Sequence, residues 1–202
     1  MIMLIRYAVA AGLLAGSVLA SEDPFEQIKT AMARAACCRF EFISIIESEV
    51  FESVDSTAGS ALLAADGRYY IKLGSDEYLR TRDRLYSYSG DENQVTVELA
   101  DSTGTTDETV SFITRFDKYY HTSTLKPGRE YLLIKLDSTT SLPDSVTVVV
   151  SGKPAVLESL KYLSENADLN RIVFLSRRNE SACDEASLFP RFPDSAQVIE
   201  LF

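Results

Sequence analysis

What most constrains this chain is how often it is interrupted. From Arg39 onward, short runs of branched and aromatic residues are cut by turn signals at Asp66-Gly67, Arg82-Asp83, Gly90-Asp91-Glu92-Asn93, Lys126-Pro127-Gly128, Pro143-Asp144, Gly152-Lys153-Pro154 and Glu165-Asn166-Ala167-Asp168. Runs this short suit strands, and turns this tight join antiparallel neighbours. Gln94 to Leu99 alternates cleanly, with Val95, Val97 and Leu99 on one side and Gln94, Thr96 and Glu98 on the other. In Arg68 to Leu73, Tyr69, Ile71 and Leu73 share a side. Residues 39–99 therefore predict a meander, with one strand over 39–54, a turn at 56–59 and a second strand from Ser60 to Ala65. A second meander follows from Tyr119 to Ser176, and a last strand lies at Gln197 to Leu201. The fold class expected is α+β: a single curved antiparallel sheet, an incomplete β-barrel of about ten or eleven strands.

Only two stretches carry helical spacing. Asp23-Pro24-Phe25-Glu26 has a capping Asp, Pro at the first helical position and a Glu three residues after the cap. Phe25, Ile28, Met32 and Ala35 then recur at three and four residues, predicting a helix that ends near Cys38. Thr105 with Glu108 forms a second capping box before Val110, Phe112, Ile113 and Phe116. Two short helices cannot cover all the apolar surface of such a sheet in a chain that is 46% hydrophobic. The expected result is an apolar cavity between sheet and helices.

The charge and the scarce residue types narrow the chemistry. A net charge of −10 repels phosphate backbones, so nucleic acid is not an expected partner. One His, three Cys and no Trp leave too few soft ligands for a zinc site of ordinary spacing, and no acidic cluster has calcium-loop spacing; neither a metal nor another cofactor is expected. No Gly-x-Ser-x-Gly occurs to serve His121, which reads as a surface residue beside Tyr119 and Tyr120, and no enzyme is expected. The acidic residues Glu47, Glu49, Glu52 and Asp55 read as solvated edge charges. Lys72, Arg80, Arg82 and Arg84, the largest local basic group, read as a charge-balancing surface.

Residues 1–20 carry one positive charge at Arg6, an apolar run from Tyr7 to Leu14 and the small-residue ending Ser17-Val18-Leu19-Ala20. That is the pattern of a cleaved signal peptide, leaving residues 21–202 as one exported domain, expected to be a monomer. Export permits a disulfide. Cys37 and Cys38 are adjacent, so one of them, taken here as Cys38, would pair with Cys183; all three could equally be small buried hydrophobes.

The order of these pieces resembles the periplasmic outer-membrane lipoprotein carrier family, the LolA-like proteins. Gly59 opens a strand, Asp66-Gly67-Arg68-Tyr69 makes a turn and an aromatic strand, and Leu85-Tyr86-Ser87-Tyr88 and Gln94-Val95-Thr96-Val97 follow. Tyr131-Leu132-Leu133 and the terminal Phe192-Pro193 with Val198-Ile199 occupy the family's later positions. The family's usual Trp is here Tyr86, and Ala65 and Asp66 stand where it has an Arg and Pro. The resemblance implies a half-barrel under a helical lid, with no covalent chemistry. Its cargo would be lipoproteins held by their acyl chains. A releasing transporter at the inner membrane would hand them on, and an acceptor at the outer membrane would receive them. The alternative is an envelope stress sensor or lipid-binding regulatory module of the same fold. Strand parity assigns Tyr69, Ile71, Tyr86, Tyr88, Val95, Val97, Leu132 and Ile134 to the cavity face, and Phe25, Ile28, Met32, Phe112 and Phe116 to the lid.

Overall fold

Every one of those turn signals joins two paired strands in the computed structural model, which describes residues 24–100, 116, 118–138, 142–183, 185–188 and 192–202. The signal peptide, the capping box at Thr105 and Glu108, and Phe112 lie outside the described residues. The first helix is α1 (Pro24–Ala33), which stops before the expected end near Cys38 because Cys37 and Cys38 already belong to a strand.

The first meander is β1 (Cys37–Ser48), β2 (Ser53–Ala64), β3 (Tyr69–Leu73), β4 (Asp76–Arg80), β5 (Arg84–Ser89) and β6 (Gln94–Leu99). The second is β7 (Tyr120–Lys126), β8 (Glu130–Lys135), β9 (Ser145–Ser151), β10 (Val156–Leu163) and β11 (Leu169–Glu180). A one-turn helix, α2 (Glu185–Leu188), and β12 (Gln197–Glu200) end the chain. All twelve strands form one open sheet in the order β12-β6-β5-β4-β3-β2-β1-β11-β10-β9-β8-β7. Every pairing is antiparallel except that of β12 with β6.

Two expectations change here. Residues 56–59 are not a turn: β1 and β2 are 12-residue strands paired from Cys37↔Ala64 to Ser48↔Ser53, and the chain reverses at 49–52. The small polar residues Ser53, Asp55, Ser56 and Thr57 imitate a turn in sequence, but β2 is bare of β3 there and their side chains meet water. The sheet has twelve strands where about ten or eleven were expected, and the polar stretch after Ser176 is no loop but continues β11 to Glu180. Register shifts at Glu41/Phe42, Leu157/Ser159 and Thr124/Lys126 bend the half of the sheet formed by the second meander.

The register divides the side chains into two faces. On the front, Tyr131, Val148, Leu160 and Ile172 form one row across β8 to β11, and Cys38, Leu63, Tyr69, Arg80 and Leu85 another across β1 to β5. Each row belongs to a buried cluster, and Ile172 and Phe174 of β11 pack against both, so the front carries one continuous apolar layer. Gly59 is required by it: a Cβ there would sit 2.4 Å from the Phe42 ring. On the back, Leu62, Tyr70, Leu79, Tyr86 and Val97 run in a second apolar row across β2 to β6.

Candidate functional site

The front layer is covered over its β8–β10 part by α1. Phe25 and Ile28, one helical turn apart, are 3% and 4% exposed and pack with Phe116 among Tyr131, Leu133, Val146, Val148 and Leu160. The Phe25 ring lies 4.5 Å from that of Phe116 and 5.1 Å from that of Tyr131. Between them remains a cavity of only about 20 Å³, lined by Phe25, Ile28, Phe116, Leu133, Val148, Leu157 and Leu160. That is room for about one water molecule, so the helix side chains occupy what would otherwise be an open apolar trough.

Side-chain hydrogen bonds help to hold α1 in place. The Ala155 backbone N–H donates to Gln27 Oε1 at 2.9 Å, and Asn179 Nδ2 donates to the Ala31 carbonyl at 3.0 Å. Asn179 in turn accepts at Oδ1 from Arg177 Nε at 3.1 Å and from the Cys38 thiol at 3.4 Å. Burial pushes the Cys38 thiol above its ordinary range, against the opposing pull of the Arg177 charge. At the far edge Tyr120 donates to the Pro143 carbonyl at 2.9 Å, and burial, with the Asp144 charge and then Tyr162 behind it, pushes its phenol up to about 12. Burial likewise raises Tyr162, which packs against the same cluster.

The back layer has a different cover. Cys37, buried with Leu62 and Leu188, is disulfide-bonded to Cys183 with the two Cα atoms 5.2 Å apart. The pairing expected for Cys38 is therefore made by its neighbour, because alternation along β1 sends Cys37 to the back and Cys38 to the front, where it is a buried thiol outside the disulfide. From Cys183 the chain runs through α2, with Leu188 fully buried, then lays Phe192 over Tyr86 and Tyr88 at 6.2 and 5.7 Å and pairs β12 with β6. Arg84 lies over the Phe202 ring at 5.0 Å and reaches Glu200 at 3.8 Å.

Of the residues assigned to the cavity face, Tyr69 and Ile71 are in the front layer. Tyr86, Tyr88, Val95 and Val97 are on the back, since Tyr69 and Ile71 sit opposite Arg80 and Tyr78, which face Leu85 and Ser87. Leu132 and Ile134 are also on the back: Tyr131 and Leu133 are 7% and 1% exposed, whereas Ile134 is 45% exposed. In both strands the sequence is apolar or aromatic on successive positions, so no polar side marks the face. Of the helix residues, Phe25, Ile28 and Phe116 join the front cluster; Met32 lies on α1 with its side chain outside the described residues. The lining residues that parity missed are Leu133, Val148, Leu157 and Leu160, with Tyr131 in the cluster around them. The spacing of Val146, Val148 and Val150 was the available signal, blunted by Val149. His121 is exposed on β7, opposite Ile134.

No protein-family model matches this sequence, and no curated protein matches it. Solved structures do resemble it. An uncharacterised conserved protein from Thermus thermophilus superposes with a TM-score of 0.50 at 10% identity, over 88% of this chain and 97% of that one. A DUF1329 family protein from Desulfovibrio piger gives 0.49 at 10% identity, over 82% and 95%. A LolA superfamily protein from Nitrosomonas europaea gives 0.44 at 10% identity, over 81% and 94%. At identities this low the likeness is one of fold.

Proposed function

We propose that the chain is a periplasmic carrier that takes the acyl chains of lipoproteins into the front layer and shuttles them from the inner to the outer membrane, with α1 acting as a movable lid. The observation that carries the reading is the apolar trough filled by Phe25, Ile28 and Phe116 to within a cavity of about 20 Å³ and tied down at Gln27 and Ala31 by two hydrogen bonds. The order of sequence pieces supports the same reading.

The energetics fit a carrier of long chains. Lifting Phe25 and Ile28 off the sheet costs about 3–6 kcal/mol, and each methylene buried in their place returns about 0.8 kcal/mol. About four to eight methylenes offset the opening, which one acyl chain of a lipoprotein exceeds and a short amphiphile does not. In this scheme the protein is no enzyme: the chains are transferred without bond making, from a releasing transporter at one membrane to an acceptor at the other.

The test is to purify the protein from periplasm, identify bound lipids and proteins by mass spectrometry, and assay release of lipoproteins from inner-membrane vesicles. Bound lipoprotein with release is the expected result. A bound regulatory protein with no release would replace the carrier by a sensor, and a clean protein that releases nothing would sink both.

A further inference from the structure

Arg177 is a feature of the front layer that an apolar trough does not explain. Its partner in the register is Phe40, so its side chain rises on the front, beside Cys38 and next to the end of α1. Its Nε donates to Asn179, but Nη2 is shut off from solvent and has no hydrogen-bond partner, and no carboxylate among the described residues pairs with the guanidinium. The nearby Glu180 is engaged elsewhere: it projects to the back, where it bridges Arg39 at 3.0 Å. The Cys38 thiol is in hydrogen-bond contact with the guanidinium but, kept protonated by its burial, brings no negative charge to it. A guanidinium left with a buried, unsatisfied Nη2 and no negative partner is costly unless something completes it.

We propose that Arg177 binds the anionic headgroup of a lipid whose chains run along the front layer beneath α1, making a negatively charged amphiphile a cargo of this chain. The inference rests on the acyl-carrier reading for the chains and adds to it a choice of head. The planar fork of Arg matches a carboxylate or a phosphate, and the aromatic floor of Phe40, Phe42 and Phe174 starts at its base. The diacylglyceryl end of a lipoprotein carries no charge and offers Nη2 only neutral ester oxygens. A fatty acid or a phospholipid answers it.

The experiment titrates the purified full chain with three ligands of equal chain length: palmitate, 1-hexadecanol and 1-palmitoyl lysophosphatidic acid. Wild type is expected to bind one or both anions at least about tenfold tighter than hexadecanol, the scale of a charge-assisted hydrogen-bonded pair. Preference for palmitate alone identifies a carboxylate head, and preference for the lysophosphatidate a phosphate. Arg177→Gln should erase the preference while leaving hexadecanol affinity unchanged. Arg178→Gln, the exposed neighbour on the back, should keep it. Hexadecanol binding without any anion preference, or a preference that survives Arg177→Gln, overturns the assignment and leaves the carrier reading standing. Failure to bind all three overturns the carrier reading and this inference with it. Urea unfolding of ligand-free Arg177→Gln separates anchor from brace: stability should be unchanged or raised, and a drop accompanied by loss of hexadecanol affinity would make Arg177 a support of α1 instead.

Discussion

Front and back of this sheet are both apolar between β2 and β5, yet they are covered by opposite means. The back is sealed by the segment from Cys183 to Phe202, which is fastened by a disulfide, a buried Leu188, stacked Phe192 and four residues of β12 paired with β6. The front is covered over β8–β10 by a 10-residue helix whose described contacts include the packing of Phe25 and Ile28 and side-chain hydrogen bonds at Gln27 and Ala31. An isolated helix of that length is marginal in water. One cover is fastened covalently and the other is not, and the carrier proposed above would use that asymmetry to open the front while the back stays closed.

The largest effect should come from breaking the permanent cover. The Cys37–Cys183 bond spans 146 residues, a loop whose closure is worth about 5 kcal/mol by chain entropy and about 2–4 kcal/mol in typical measurements. Cys183→Ser should lower unfolding stability by that order in urea melts and raise amide exchange across 185–202. Exchange within α1 should stay as it is. Equal loosening of α1 would mean that the two covers are one unit and would end the comparison.

Loading should separate the faces next. Ile71→Glu places a charge in the front layer and should abolish lipid binding with secretion intact. Tyr86→Ala removes a ring that Phe192 covers on the back and should cost about 1 kcal/mol of stability with binding unchanged. If Tyr86→Ala lost lipid and Ile71→Glu kept it, the site would belong on the back.

That pair also marks what the sequence could and could not say. Turn chemistry was legible: Gly67, Gly128 and Gly152 all sit at positive φ where turns were read, and Asn93 at φ 50 closes another. Strand existence followed from it. Faces did not, because alternation identifies a face only when the other side is polar. Leu85-Tyr86-Ser87-Tyr88 puts its aromatics on the side away from the front layer, and Tyr131-Leu132-Leu133-Ile134 is apolar on both sides. Val95 and Val97 alternate as read, yet their side is the back, and β6 gains its neighbour β12 only through the long-range return of the C-terminal segment. The choice between Cys37 and Cys38 turned on the same one-residue question of face.

A smaller effect should follow from cutting the ties of α1. Gln27→Ala removes the bond from the Ala155 N–H, and Asn179→Ala removes the tie to the Ala31 carbonyl together with the bonds Asn179 accepts from Arg177 and Cys38, at about 0.5–1.5 kcal/mol per bond. Lipid uptake should speed up and exchange within α1 should rise several-fold, while the 185–202 segment stays protected. Slower uptake would mean that these contacts order the site for cargo and do not restrain a lid.

The alkaline limb offers the finest comparison, since each layer contains a tyrosine pushed up from 10.0 to about 12: Tyr120 at the front, and Tyr70 at the back through burial and then the charge and hydrogen bond of Glu77. The unfolded chain loses both protons near pH 10, and the folded chain holds them to about 12. Stability from these groups is therefore complete below about 10 and falls as the pH climbs towards 12. Tyr70→Phe and Tyr120→Phe should each flatten part of that fall. In Cys183→Ser, phenolate absorbance should show the Tyr70 titration sliding towards its ordinary value, because the cover over Leu62 and Tyr70 has been released. Tyr120, packed with Phe25, Phe116 and Tyr131, should titrate as before. Movement of both would show that the layers share one cooperative core, and movement of Tyr70 alone that each cover guards only its own face.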